Sequence, residues 1–353
     1  MNYKAELEDL IVTVIREGAS DLHFSTGRRP TLRVSGSLVP LVRKEVLTAE
    51  DTLGLLGELI PPNKKEQFIT EQEMDFSYAY GNDARFRCNA SFQRGAISIA
   101  MRHIPNKIRT LEELGLPTVL NDFALKQQGF FLVVGPVGQG KSTTLAAMID
   151  MINHRRTEHI VTIEDPIEYI YEQDKCIIDQ REVYVDTKDF HTALRSAFRQ
   201  DIDVLLVGEM RGTDTISTAV TAAETGHLVF STLHTNNAAQ TIDRIIDSFP
   251  PEQQEQIRIQ LAGSLLGIFS QRLIPRVSGG MVPAYELLIN NAAVANLIRE
   301  GRSHEINVVI ETGMEYGMVD MNKSLAELVR AGEIRQEDAY LHSFNPQALE
   351  RLI

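Results

Sequence analysis

The sequence predicts an α/β fold: a parallel sheet covered by helices, preceded by a smaller α+β domain and ending in a helical C-terminal region. Three observations carry that expectation. At 353 residues the chain is longer than a single core normally grows, so two domains are the default. From Gly129 onward, short apolar runs alternate with helical stretches, the rhythm of right-handed βαβ units. Before that point, after one amphipathic helix, the chain reads as alternating strands and tight turns.

The elements follow in order. Leu7, Leu10, Ile11, Val14 and Ile15 form a helical stripe that Gly18 closes. Strands are expected at 21–25, 31–34, 74–80 and 84–92, with turns at 27–30 and 81–83. In the last of these, Phe86, Cys88, Ala90 and Phe92 take one face and Arg85, Arg87, Asn89 and Ser91 the other. Residues 1–105 form the small domain, and 106–128, carrying few periodic signals, the linker. In the second domain, 129–353, strands are expected at 130–134, 159–164, 204–208 and 227–232, with helices near 142–153, 188–199, 213–225 and 238–247. Beyond about 252 the pattern reads as mainly helical, with candidates at 256–267, 292–300 and 321–331.

Composition narrows the function. A net charge of −13 argues against broad nucleic-acid binding, which needs clustered cations. No apolar run approaches the roughly 20 residues that span a bilayer, and no charged-then-apolar leader is present, so the expectation is a cytosolic protein without membrane insertion. Cys88 and Cys176 read as reduced thiols packed as small hydrophobes.

The chemistry starts at Gly135-Pro136-Val137-Gly138-Gln139-Gly140-Lys141-Ser142-Thr143, the G-x-x-x-x-G-K-[ST] pattern of a phosphate-binding loop. Gly135 and Gly140 fall where backbone must turn tightly against a phosphate. Lys141 reaches the β- and γ-phosphates of ATP, Ser142 offers a hydroxyl to Mg²⁺, and the helix that follows aims its free N–H groups at the anion. The preceding apolar strand and following helix supply the required context.

Further candidates fall at predicted strand ends, where ligands sit on open α/β sheets. Glu164, in Ile163-Glu-Asp-Pro-Ile-Glu168, is placed to orient and deprotonate the attacking water. Glu209 ends the apolar run Asp203-Val-Leu-Leu-Val-Gly-Glu209 and is assigned to Mg²⁺ or its water shell. Spacing alone leaves open an exchange of roles between the two. His227 and His234 flank one strand. Metal ligation by them is disfavoured for want of further ligands, leaving a γ-phosphate or interface sensor, or a hydrogen-bonded structural histidine. Arg85, Arg87, Arg94 and Arg102 of the first domain form either a solvated basic face or a set that reaches a nucleotide bound between domains or subunits.

Residues 135–143, Thr162-Ile-Glu-Asp-Pro-Ile-Glu168, Leu206-Val-Gly-Glu-Met-Arg211 and Thr225-Gly-His-Leu-Val-Phe-Ser-Thr-Leu-His234 together resemble the four signature boxes of secretion ATPases. Ala19-Ser-Asp-Leu-His23, Arg85-Phe-Arg87, Gln93-Arg-Gly95, Gln271-Arg-Leu273 and Leu297-Ile-Arg-Glu-Gly301 extend the resemblance to the type IV pilus retraction ATPases. It implies a homohexameric ring of RecA-like domains, each joined to a PAS-like N-terminal domain. ATP hydrolysis would turn the inner-membrane platform protein PilC at the pilus base, with a paralogous retraction ATPase as a further partner. It also implies Glu164 as catalytic carboxylate, Glu209 as the Mg²⁺-associated acid, both histidines in a histidine box, and the arginines as phosphate contacts.

Extension and type II secretion ATPases resemble this core but carry a four-cysteine zinc element and longer N-terminal extensions, so retraction is favoured. Gly212, in place of the family's usual Asp, and Gln200-Asp-Ile202, in place of Glu-Asp-Pro, depart from the pattern. The readings of another class are a RecA-like nucleic-acid motor and a regulatory subunit that binds ATP without cleaving it. Charge and the absence of Trp disfavour the first, and intact Lys141, Ser142, Glu164 and Glu209 the second.

Overall fold

The structure, a computed structural model, describes residues 2–353 except Ser35, Asn82, Asp83, Pro105, Asn106 and Arg211, together with the side chain of Asn63. The expected turn at 81–83, the start of the segment at 105–106 and Arg211 of the third signature box therefore fall outside the described residues. Two compact units result: Met1–Lys107 with Pro166–Ile170, and Ile108–Asp165 with Tyr171–Ile353.

The first unit opens with helix Tyr3–Arg16, whose Asn2 side chain accepts from Ala5 N at 3.3 Å. Leu7, Leu10, Ile11 and Val14 are buried, whereas Ile15, at the margin of the stripe, is 39% exposed. Six strands follow: β1 (Asp21–Ser25), β2 (Thr31–Val34), β3 (Ser37–Pro40), β4 (Glu73–Tyr80), β5 (Ala84–Gln93) and β6 (Ala96–Ile104). They pair antiparallel in the order β3-β2-β1-β6-β5-β4. One face buries Leu22, Phe24, Phe86, Cys88, Ala90 and Met101 together with the apolar sides of helices Tyr3–Arg16, Ala49–Leu59 and Pro62–Glu71. Register pairs Gln93 with Ala96, leaving Arg94 and Gly95 as a two-residue turn with φ of +53° and +77°. Two successive positive φ values define the hairpin turn that matches strand twist.

The second unit carries β7 (Gly129–Val134), β8 (His159–Glu164), β9 (Ile177–Glu182), β10 (Val204–Val207), β11 (Leu228–Leu233), β12 (Leu265–Pro275) and β13 (Met281–Ile289), ordered β13-β12-β7-β11-β10-β8-β9. Every pairing from β12 to β9 is parallel; β13 runs antiparallel to β12. β7, β10 and β11 are buried at every position, because helices cover both faces of the sheet. The principal helices are Lys141–Arg155, Phe190–Ala197, Thr213–Glu224, Ala238–Asp247, Pro251–Ser264, Ala292–Glu300 and Met321–Arg330.

Two expectations are corrected here. The region past 252 is mainly helical, as expected, but the helix near 256–267 is Pro251–Ser264, and residues 265–289, not expected as strands, form the long β12–β13 hairpin that extends the sheet. The segment expected to be a linker belongs from Ile108 onward to the second unit, where Leu111 and Leu116 are buried and helix Val119–Ala124 buries Leu120, Phe123 and Ala124. Apolar burial, not extension, explains its composition. At the Ile202 departure, the side chain is buried in the second unit's core, a place for an aliphatic residue.

Candidate active site

The parallel register brings four strand ends together. Val134 pairs with Leu233, Val207 with Ser231, and Val207 with Ile163, so β7, β11, β10 and β8 finish at one edge of the sheet. From that edge emerge the phosphate loop, His234, Glu209 and Glu164, within one unit.

The phosphate loop leaves β7 at Gly135 (φ +145°), passes exposed Val137 and Gly138, and reaches Gly140 (φ +78°) at the N-cap of helix Lys141–Arg155. No side chain caps that helix, so its first N–H groups remain directed at the loop's interior. Lys141 is 7% exposed, and its Nζ donates to the carbonyls of Gly135 at 2.8 Å and Pro136 at 2.9 Å. Ser142 and Thr143 are half-buried on the first turn.

Lys141 Nζ also lies 3.3 Å from His234 Nδ1. An ammonium only donates, so Nδ1 is the acceptor and the imidazole proton sits on Nε2. That nitrogen lies 3.9 Å from Glu209 Oε2, completing a chain from the loop lysine to the β10 carboxylate. Glu164 is 9% exposed at the end of β8, and its Oε1 accepts from Thr162 Oγ1 at 2.7 Å. Gly208 N donates to Ile163 O at 2.8 Å, which sets the turns bearing the two carboxylates side by side. The arrangement provides a cation for phosphates, a hydroxyl and carboxylate for a hard metal ion, and a buried carboxylate for water: the parts phosphoryl transfer requires.

His227 lies apart from this group. It precedes β11 at the end where Leu228 pairs with Gly129, six strand residues, or about 20 Å, from the loop edge. Its Nδ1 lies 3.0 Å from Ala222 O and its ring meets Phe198 edge-on at 5.7 Å, the environment of a structural histidine.

Among the first unit's arginines, Arg85, Arg87 and Arg102 share the sheet face opposite the apolar cluster, with Arg87 directly across from Arg102. Asp21, 6% exposed and paired with Arg102 in the β1–β6 register, accepts from Arg102 Nε at 3.0 Å. Arg85 Nη2 reaches Ser77 Oγ at 3.2 Å, and Arg87 Nη1 lies 3.8 Å from Glu168 Oε1. Arg94, in the β5–β6 turn, stands apart from that face.

Comparison with known proteins agrees with this geometry. Residues 3–282 match the type II/IV secretion system protein family. The chain belongs to that family. It is 44% identical to the type IV pilus retraction ATPase PilT of Pseudomonas aeruginosa over 95% of this chain and 97% of that protein. To a twitching motility protein of Neisseria gonorrhoeae it is likewise 44% identical, covering 91% of this chain and 86% of the relative. A crystal structure of the pilus retraction motor PilT with bound ADP superposes with a TM-score of 0.90 at 44% identity, over 97% of this chain and 98% of that one. As a secretion ATPase of the retraction kind, the chain is an ATP-hydrolysing enzyme.

In this secretion ATPase two buried residues behind the loop were not expected to serve the site. Gln271 and Arg272, 3% and 6% exposed on β12, contact the phosphate loop and the segment after His234 respectively. The only sequence signal was Gln271-Arg-Leu273 as part of the family resemblance, which assigned it no role.

Proposed function

We propose that this secretion ATPase powers type IV pilus retraction by hydrolysing ATP at the edge formed by β7, β8, β10 and β11. The observation that carries the reading is the convergence of Lys141, His234, Glu209 and Glu164 on that edge in a chain so similar to retraction ATPases. Residues 135–143 wrap the phosphates. Lys141, now held by two loop carbonyls, turns its charge to the β- and γ-phosphates, and the helix N-terminus completes the cradle. Glu164, desolvated beside the Thr162 hydroxyl, orients the attacking water and receives its proton.

Mg²⁺ fits the donors present, since the Ser142 hydroxyl and Glu209 carboxylate are hard oxygens at the start of the phosphate-binding helix and the end of β10. When bound it offsets phosphate charge. His234 reports the γ-phosphate to Glu209 and Lys141. Arg85, Arg87 and Arg102 fit phosphate contacts by their common face; Arg94, held in a hairpin turn, fits less well. The partners inferred are further copies in a hexamer, the platform protein PilC at the inner-membrane base of the pilus machine, and a paralogous retraction ATPase. Among the described residues, no helix is long and apolar enough to cross a membrane.

Deleting the gene and counting surface pili tests the direction of work. Excess pili with lost twitching is the expected result; bald cells would assign the chain to extension.

A further inference from the structure

We propose that Gln271 and Arg272, successive residues of β12, are positioning residues that fix the phosphate loop and the histidine-box loop in register with each other. Consecutive strand residues face opposite sides of a sheet, so one dipeptide serves two loops.

Gln271 spans the phosphate loop. Its Nε2 donates to Gln139 O at 2.7 Å, ahead of Gly140, and its Oε1 accepts from Thr144 Oγ1 at 2.6 Å, on the first turn of the helix beyond. Leu273 N donates to Gln139 Oε1 at 2.7 Å. A Cβ on Gly135 would stand 2.5 Å from the Gln271 carbonyl oxygen, and one on Gly140 would stand 2.9 Å from Gln271 Nε2. The β12 backing thus excludes a side chain at Gly135, while one at Gly140 would displace the Gln271 amide from the loop.

Arg272 holds the other loop. Its Nη2 donates to Asn236 Oδ1 at 2.9 Å, while Ser270 Oγ donates to Asn236 O at 2.8 Å. Asn236 lies two residues beyond His234. Nη1 of Arg272, buried and without a hydrogen-bond partner among the described residues, lies near the phosphate loop, 3.7 Å from where a Gly135 Cβ would be. A buried polar network of this kind contributes little net stability, since apolar residues of similar volume often replace it without loss. Its directional bonds fix geometry instead, and a small misplacement of catalytic groups is costly to rate.

The proposal rests on the nucleotide assignment above, and Lys141→Ala separates the two. An Lys141→Ala protein that still binds ATP would defeat the nucleotide reading itself. With that control behaving, full-length wild type, Gln271→Met and Arg272→Met are compared for Mg·ATP affinity, KM, kcat and thermal midpoint. Gln271→Met keeps length but removes both bonds, and is expected to raise Kd and KM about tenfold with kcat within about twofold. Arg272→Met is expected to lower kcat about tenfold with Kd retained, because His234 is displaced while the loop is not. Unchanged kinetics in both variants, or affinity and kcat falling together in proportion to the thermal midpoint, would overturn the proposal. Should Gln271→Met fail to fold, Thr144→Val removes the same loop-side bond and carries the same expected rise in KM.

Discussion

At the scale of single residues, Glu164 bears the sharpest expectation. Glu164→Gln preserves shape and the Thr162 contact but abolishes the base, so the protein should retain ATP while turnover falls ~10²–10⁴-fold. Equilibrium binding and single-turnover hydrolysis measure the two quantities, and rapid turnover by this variant would move the role to Glu209. The sequence disclosed this site unevenly. Gly135 to Thr143 were legible because all their chemistry is local: glycine spacing, lysine and helix start lie within one short segment. Glu164 and Glu209 were legible as acids at the ends of apolar runs. For His227 and His234 the sequence left the roles open, because the motif sets them close together while a strand carries them to opposite edges. Gln271 was invisible as a loop partner because its contact with Gln139 spans 132 residues and depends on β12 lying beside β7.

At the scale of elements, Glu286 on β13 links sheet and helix. It is 3% exposed and accepts from Ala238 N at 2.8 Å, supporting the start of helix Ala238–Asp247 beyond the histidine-box loop. Burial pushes its carboxyl up to about 7; the Ala238 bond and Arg272 oppose the shift, and Asp320 adds to it. The folded-state value lies above the unfolded one, so the native state binds the extra proton between about pH 4.5 and 7. This contribution is full below the lower value and is lost as pH rises through the upper, amounting to about 3 kcal/mol. Urea unfolding at pH 5 and pH 8 should therefore show a steeper loss of stability in wild type than in Glu286→Gln, which keeps the Ala238 acceptor without titrating. Equal pH dependence in both proteins would remove Glu286 as the source. The same hairpin was not legible in the sequence, although the helices at Ala292–Glu300 and Met321–Arg330 were. β12 is buried on both faces, so Leu265-Leu-Gly-Ile-Phe lacks the alternation that marks a half-exposed strand and reads as a continuation of the preceding helix. β5 was legible for the opposite reason, since its arginines and apolar residues alternate cleanly. Gly212 shows a departure absorbed at this scale: it is the N-cap of helix Thr213–Glu224 in extended geometry, a position that Gly fills at a cost of only a few tenths of a kcal/mol relative to Asp.

At the scale of the whole molecule, the six-stranded antiparallel unit and the seven-stranded, mainly parallel unit hold separately two sets of groups that the proposed function assigns to one reaction. The second unit holds the loop lysine, both acids and His234; the first holds Arg85, Arg87 and Arg102 on one polar face, with Asp21 anchoring Arg102. An arginine that stabilises charge developing on the γ-phosphate accelerates hydrolysis ~10³–10⁵-fold, and supplied by a neighbouring subunit it makes rate depend on assembly. Coupling between ATP and motion follows, because a ligand shifts a conformational equilibrium only by its differential affinity for the two states. The expected behaviour is a hexamer in the presence of Mg·ATP, with hydrolysis per subunit falling steeply as dilution dissociates the ring. Mass measurement in solution paired with turnover across that concentration range decides the matter. Replacing Arg87 or Arg102 with Gln should lower turnover in the assembled protein while leaving its mass unchanged. A monomer that hydrolyses ATP at full rate would instead place every catalytic group within one chain and remove the reason for a ring.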